Sequence, residues 1–133
     1  MVLVDTNVLV DVLDANQAWS AWSAERLAEA ADSTVVVINP IVYTELSIAF
    51  STIEALDAAL SPLQLGREPL PYAAAFLAGR AYMAYRRRGG ARTAPLPDFF
   101  IGAHAAVAGY RLLTRDARRY RSYFDKLALI APD

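Results

Sequence analysis

Short apolar segments alternate with longer segments of helical periodicity along the whole chain. The apolar segments are rich in valine, isoleucine and leucine, and they predict buried strands at residues 2–5, 34–38, 63–65, 111–114 and 127–130. Apolar residues repeating every three or four positions predict helices at residues 7–13, 20–31, 40–49, 52–60, 71–88, 98–108 and 118–124. Strands that alternate with helices indicate an α/β fold, in which a mostly parallel sheet is covered on both faces.

Capping and turn residues support these boundaries. Asn39-Pro40 is a strong helix start, because asparagine is a good cap and proline suits the first helical position. Gly89-Gly90 ends the longest helix, and two prolines stiffen the predicted loop at 91–97. A length of 133 residues suits one domain, so we expect a single domain over residues 1–133.

Composition restricts the classes of protein to which the chain can belong. Hydrophobic residues make up 56% of it, but no apolar run approaches the roughly 18 residues that a membrane span needs. We therefore expect no membrane segment, and interpret the apolar excess as core plus a protein–protein surface such as a homodimer face. The chain has no cysteine, which excludes disulfides and thiolate zinc sites. Without a recognisable leader sequence, this composition favours the cytoplasm.

The charged residues are balanced in number but uneven in kind. The formal net charge is −1, so a basic footprint over the whole protein is excluded. Lys126 is the only lysine among 13 basic residues, and the others are arginines. The guanidinium group of arginine matches phosphate oxygens in a bidentate manner, which favours a phosphodiester ligand.

Four acidic residues, distant in sequence, are predicted to lie close together. Asp5 and Asp116 follow apolar strands, while Glu45 and Asp98 lie in the first two turns of helices. In parallel sheets, ligands bind beyond the carboxyl ends of the strands, so neighbouring strands would bring Asp5 and Asp116 into one crevice. Carboxylates gathered in this way repel each other and suit a hard divalent cation. The pattern therefore favours a metal-dependent hydrolase.

The segments around these acids resemble those of the PIN-domain ribonucleases. The similar segments are Val-Leu-Val-Asp5-Thr6-Asn7, Tyr-Thr-Glu45-Leu, Pro-Asp98-Phe-Phe-Ile-Gly-Ala-His-Ala and Leu-Leu-Thr114-Arg115-Asp116. The length and the C-terminal segment resemble VapC-type toxins of bacterial toxin–antitoxin pairs. The resemblance implies a three-layer α/β/α sandwich, RNA cleavage with Mg²⁺ or Mn²⁺, and a cognate antitoxin that blocks the site.

The resemblance also suggests roles for individual residues. Asp5 and Asp98 are expected to ligate the metal directly, with Asp116 and Glu45 as further ligands or holders of metal-bound water. The polar neighbours expected to orient a carboxylate or a water molecule are Thr6, Asn7 and Thr114. Helix capping is the alternative for Asp5 and Asp98, and turn formation is the alternative for Asp116. For the polar neighbours, the alternatives are capping and turn roles. Glu45 is alternatively a solvated helix residue.

Residues outside the acidic set have weaker assignments. Phosphate contacts with RNA are predicted for Arg86, Arg87, Arg88 and Arg92, with a solvated helix end as the alternative. Arg115 is predicted to neutralise the acidic cluster and to contact RNA, and Arg118, Arg119 and Arg121 are predicted to lie on the surface. His104 is predicted to be packed or exposed and not a general base. Most of the aromatic residues are predicted core, with a partner groove as the alternative: Trp19, Trp22, Tyr43, Phe50, Phe76, Tyr82 and Tyr85.

Three other functions are weighed against the nuclease. A phosphoaspartate enzyme is disfavoured, because Asn7 stands where a second aspartate is needed and Lys126 lies late in the chain. A nucleotide-binding fold is disfavoured by the lack of a GxGxxG motif or P-loop. The remaining alternative is a non-catalytic RNA- or protein-binding module.

Overall fold

The computed structural model describes residues 1–90 and 96–132. The strands are β1 Val2–Val4, β2 Val36–Ile38, β3 Gly66–Arg67, β4 Arg111–Leu113 and β5 Leu129–Ile130. The helices are α1 Thr6–Leu13, α2 Ser20–Ser33, α3 Pro40–Ser47, α4 Ile53–Leu60, α5 Tyr72–Arg87, α6 Leu96–Ala108 and α7 Arg118–Tyr123. A short 3₁₀ helix spans Ser61–Leu63.

The strands form one parallel sheet in the order β3-β2-β1-β4-β5. The chain builds outward from β1 to β3 and then returns to the other side of β1 with β4. The switch point therefore lies between β1 and β4, where Leu3 pairs with Leu112 and Val4 with Leu113. β1 and β4 are therefore neighbours, which is the condition under which the sequence places Asp5 and Asp116 in one crevice.

Helices cover both faces of this sheet, in an α/β/α arrangement. Val2, Leu3 and Val4 are all fully buried, although successive side chains of a strand point to opposite faces. β2 is likewise buried along its whole length. The fold predicted from the sequence is confirmed. No helix within 1–90 or 96–132 combines the length and the apolar character needed to cross a membrane.

One predicted strand and one predicted loop boundary are wrong, and other element ends differ from the prediction by one or two residues. Residues 63–65 do not form a strand, because Ser61–Leu63 forms a 3₁₀ turn and Gln64 adopts a left-handed φ of 52°. The edge strand lies later, at Gly66–Arg67, where Val37 and Ile38 of β2 supply its pairing partners. The helix predicted to begin at residue 98 begins at Leu96 instead. Pro97 therefore lies in the first turn of the helix, where proline is tolerated, and residues 96 and 97 do not belong to the predicted loop at 91–97. The rest of that loop, 91–95, lies outside the described residues.

A glycine in α6 allows α7 to pack closely against it. A Cβ atom added to Gly102 would lie 2.6 Å from Phe124 Cε2 and 3.0 Å from Tyr120 Cδ1. Both aromatic residues are buried, so their rings have little room to move. The close contact holds α7 against α6, and Tyr120 of α7 reaches Asp5 at the end of β1.

Replacement of Gly102 by alanine is expected to destabilise the fold by about 1–3 kcal/mol, because the extra methyl group overpacks a buried contact. Gly79→Ala is the matched control, since Gly79 is an exposed helical glycine with no heavy atom within 4 Å of the added Cβ. It is expected to stabilise α5 by roughly 0.5–1 kcal/mol. Urea denaturation measures both changes, and equal stability of Gly102→Ala and wild type would contradict the close packing.

Candidate active site

The four acidic side chains predicted from the sequence come from four different elements. Asp5 follows β1 and precedes α1, while Asp116 lies beyond the end of β4. Glu45 is in the second turn of α3, and Asp98 is in the first turn of α6. Asp5 is buried, Glu45 and Asp98 are half-buried, and Asp116 is exposed. The site therefore extends from the protein interior at Asp5 to the solvent-exposed surface at Asp116.

Asp5 is held by hydrogen bonds on both carboxylate oxygens. Oδ2 accepts from Thr114 Oγ1 at 2.8 Å and from Tyr120 Oη at 2.9 Å, with Asn7 Nδ2 at 3.4 Å. Oδ1 accepts from the backbone N–H of Thr6 at 2.7 Å. Burial raises the pKa of Asp5, these bonds from Thr114, Tyr120 and Thr6 lower it, and the charge of Glu45 raises it again. The orientation of this carboxylate is therefore fixed by its surroundings.

The four acids are close enough for each to repel at least one of the others. Burial raises the pKa of Glu45, and the charge of Asp98 raises it further, while the hydroxyl of Thr6 donates to Glu45 Oε1 at 2.6 Å and lowers it. Burial and the charge of Asp5 raise the pKa of Asp98 to about 6, Arg119 opposes them, and Asp116 adds a further rise. Each acid is thus within electrostatic reach of at least one other.

The donor set suits a hard divalent cation by chemistry and charge. All four side chains offer oxygen ligands, which Mg²⁺ and Mn²⁺ prefer, and their mutual repulsion is relieved by added positive charge. Within residues 1–90 and 96–132, however, no three acidic or histidine side chains form a preassembled ligand group. Asp5, Glu45, Asp98 and Asp116 thus match the metal in donor chemistry and charge, without forming a preassembled ligand cage.

The predicted polar neighbours Thr6, Asn7 and Thr114 all contact the site. Thr6 contacts Asp5 through its backbone and Glu45 through its hydroxyl group. Asn7 Nδ2 lies 3.3 Å from Thr114 Oγ1, whose hydroxyl group donates to Asp5. The structure brings these three residues to Asp5, and the role of each in orienting a metal ligand remains a prediction.

Arg115 does not lie where the sequence suggested. Its Nε donates to Asp11 Oδ2 at 2.8 Å, and the hydroxyl group of Ser23 donates to the same oxygen at 2.7 Å. Asp11 is fully buried. The charge of Asp11 holds the Arg115 guanidinium group against α1 and α2, so Arg115 connects the β4–α7 loop to these helices. Arg115 therefore does not neutralise the acidic cluster, and a different cation pairs with it.

That cation is Arg119, which the sequence had suggested was a surface residue. Arg119 Nη1 lies 2.7 Å from Asp98 Oδ2. Its neighbour Tyr120 was also missed, although its hydroxyl group donates to Asp5 and only 2% of the residue is exposed. Burial and the charges of Asp5 and Asp98 raise the pKa of Tyr120 far above its usual range, so it remains a donor. The only signal in the sequence was their spacing of three and four residues from Asp116.

The other predicted arginines lie at the end of α5. Arg86 and Arg87 are in its last turn, and the guanidinium carbon of Arg88 lies 4.9 Å from the centre of the Tyr123 ring. Arg92 lies outside the described residues. The structure therefore gives Arg88 an aromatic neighbour, and RNA contacts by this group remain predictions.

His104 is packed, as predicted. It is 1% exposed, its Nδ1 lies 3.0 Å from Asn39 Nδ2, and its Nε2 lies 3.6 Å from Glu68 Oε1. Burial lowers its pKa, against the opposing influence of Glu68. The aromatic prediction is also confirmed for most members, because those that pack against the core are Trp22, Tyr43, Phe50, Tyr82 and Tyr85. Trp19 and Phe76 are exposed.

Comparison with known proteins agrees with this geometry. The PIN domain family model matches residues 2–126, so the chain belongs to the PIN domain family. Comparison with curated protein sequences gives no significant match. The fold is similar to that of VapBC2 from Rickettsia felis bound to a promoter DNA fragment, with a TM-score of 0.76, 19% identity and 100% coverage of both chains.

Two further structures show the same likeness. VapBC-1 from nontypeable Haemophilus influenzae has a TM-score of 0.73 and 18% identity, with 98% of each chain covered. The sarcin–ricin loop cleaving toxin VapC20 from Mycobacterium tuberculosis has a TM-score of 0.63 and 19% identity, covering 92% of this chain and 95% of VapC20. The resemblance predicted from the acidic segments is confirmed, and at these identities the structures show a shared fold.

Replacement of Asp98 by asparagine is expected to change how stability depends on pH. Asp98 has a raised pKa of about 6 against an ordinary 3.8, so between these values the folded protein retains a proton that the unfolded chain has lost. The resulting stabilisation is complete below about pH 4 and is lost as the pH rises through about 6. In EDTA, Asp98→Asn should therefore be more stable than wild type by about 2 kcal/mol at pH near 7.5, with the gap closing towards pH 4.

Urea denaturation at several pH values measures this gap. Asp32→Asn is the matched control, since Asp32 is exposed and lies in α2. It should show a small difference from wild type at every pH. A constant difference between Asp98→Asn and wild type across the range would contradict the assigned pKa.

Replacement of Tyr120 by phenylalanine is expected to lower the free energy of unfolding by about 1–2 kcal/mol at neutral pH, because a buried carboxylate loses a donor while the ring packing remains. Tyr72→Phe is the control, since Tyr72 is 95% exposed. Urea denaturation compares the two. Unchanged stability of Tyr120→Phe would show that its hydroxyl group does not hold Asp5.

Proposed function

We propose that this chain is a metal-dependent endoribonuclease, and the toxin of a toxin–antitoxin pair. The observation that carries the proposal is the convergence of four carboxylates at the carboxyl edge of a PIN-family sheet, where neighbouring acids raise the pKa values of Asp5, Glu45 and Asp98. A fold tolerates such repulsion at a functional site, where added cationic charge relieves it. Asp5, Glu45, Asp98 and Asp116 would hold Mg²⁺, with Mn²⁺ as a substitute.

The residues of the chain have distinct parts in this proposal. When bound, a divalent cation supplies an activated water nucleophile near neutral pH and stabilises charge on the phosphate oxygens. Thr114 and Tyr120 fix one oxygen of Asp5, and the Thr6 hydroxyl group fixes one oxygen of Glu45. Attack in line with the leaving oxygen would give products with a 5′-phosphate and a 3′-hydroxyl.

The family and the similar structures support proposals for the substrate and the partners. VapC20 is a toxin that cleaves the sarcin–ricin loop, and the R. felis structure is that of VapBC2 bound to a promoter DNA fragment. By analogy we propose an RNA substrate and a cognate antitoxin for this chain, in the cytoplasm. We further propose that the chain is one domain that forms a homodimer through an exposed apolar surface. Among the residues that the structure describes, the most exposed large apolar ones are Ile48, Ile53, Tyr72 and Phe76.

The second candidate is a non-catalytic RNA- or protein-binding module. One observation favours it, namely that the described residues contain no preassembled group of three metal-binding side chains. Against it stands the acidic character of the cluster, because a binder of polyanions gains nothing from gathered carboxylates.

Replacement of Asp5 by asparagine is expected to lower RNA cleavage by more than about a hundredfold, because metal sites depend on both the charge and the orientation of their ligands. The measurement is cleavage of total cellular RNA by purified protein with Mg²⁺, with Mn²⁺ and with EDTA. Asp32→Asn, an exposed acid in α2, is the matched control and should retain activity.

The outcomes separate the two candidates. Discrete fragments that require metal and disappear in Asp5→Asn support the nuclease, and mapping of their ends identifies the substrate. Absence of cleavage by folded, inhibitor-free protein with either metal favours the binding module. Cleavage that survives both Asp5→Asn and Asp98→Asn shows that the site lies elsewhere.

A further inference from the structure

Arg119 places a positive charge inside the acidic site. Its Nη1 contacts Asp98 Oδ2 at 2.7 Å, and the two side chains are 31% and 26% exposed. No other ion pair to the four carboxylates occurs between the residues that the structure describes. Arg119 therefore supplies the cationic charge that a divalent metal ion would otherwise supply to Asp98.

The backbone of Arg119 is anchored by its neighbour, whereas its side chain is partly exposed to solvent. The next residue, Tyr120, is buried and bonded to Asp5, which anchors α7 at the site. The Arg119 side chain is long and partly solvated, and its guanidinium carbon lies 6.0 Å from the centre of the Tyr85 ring. A half-exposed ion pair of this kind is weak, so its partners can separate at small cost.

We propose that Arg119 is the resident counter-ion of the acidic site, that it leaves Asp98 when a divalent cation binds, and that it then contacts a phosphate group of the RNA. The proposal rests on the proposed function and adds a role for a residue outside the acidic set. A cation at Asp98 would repel the guanidinium group and leave it free to contact a phosphate group of a substrate bound at the site. The planar guanidinium group suits phosphate oxygens in a bidentate contact.

Two opposite effects of one substitution follow from this exchange. In Arg119→Gln the metal ion no longer competes with a guanidinium group, so Mn²⁺ is expected to bind about three to ten times more tightly. RNA cleavage is expected to fall in the same variant, because a phosphate contact is lost. A residue that only stabilised the fold would not strengthen metal binding when removed.

The experiment is a Mn²⁺ titration of the 133-residue chain, monitored by electron paramagnetic resonance, alongside RNA cleavage at saturating Mn²⁺. Arg121→Gln is the matched control, because Arg121 is an exposed arginine on the same helix. It should leave the affinity for Mn²⁺ unchanged within about twofold, since exposed charges are screened by salt. Arg119→Lys keeps the charge without the planar fork, so it should retain the affinity of wild type for Mn²⁺ and lose part of the cleavage.

The results distinguish this inference from the proposed function. Binding of Mn²⁺ to Arg119→Gln that is equal to or weaker than wild type overturns the counter-ion role. Tighter binding with undiminished cleavage overturns the phosphate contact. If neither wild type nor Arg119→Gln binds Mn²⁺, the proposed function itself fails and the inference fails with it. Tighter binding with reduced cleavage supports both steps.

Discussion

The rest of the site depends on the hydrogen bonds that the buried carboxylate of Asp5 accepts. A carboxylate taken out of water is costly unless donors surround it, and here the donors come from α1, from the loop after β4 and from α7. Satisfying Asp5 therefore fixes the positions of Thr6, Thr114 and Tyr120 relative to β1. The same bonds set the direction in which the carboxylate faces a ligand. The hydrogen bonds that pack α1 and α7 against β1 therefore also determine the geometry of the site.

Gathering further acids around Asp5 opposes folding stability. The charge of Asp5 raises the pKa of Asp98, and Asp98 in turn raises that of Glu45, so the folded state carries repulsion that the unfolded chain does not. The apolar sheet offsets this repulsion, because β1 and β2 are buried throughout and supply the large hydrophobic contribution of the fold. Arg119 relieves the repulsion at Asp98 only in part, since that pKa remains raised. Electrostatic repulsion that remains in the folded state is typical of sites that bind a ligand.

The sequence predicts what depends on local pattern. β1 and β2 are continuous apolar runs, as parallel strands buried on both faces must be, and β4 is apolar and buried at Leu112 and Leu113. The acids that follow β1 and β4 could therefore be placed at the switch point. β3 could not be placed, because Gly66 and Arg67 carry no apolar signal and are strand only through pairing with β2. The contacts of Tyr120 were equally hidden, since they depend on how closely α7 approaches α6 at Gly102.

Arg115 and Arg119 show why residue type alone does not assign a role. Both are paired with a single aspartate at 2.7–2.8 Å, and both side chains are 31% exposed. The difference lies in the partner: Asp11 is fully buried and its Oδ1 has no hydrogen-bond partner among the described residues, whereas Asp98 is 26% exposed. Removing Arg115 from Asp11 would leave an uncompensated charge in the interior, while Asp98 can exchange its partner for water or another cation. The burial of the acid therefore decides that Arg115 is a fixed structural contact and that Arg119 is the arginine able to respond to a ligand.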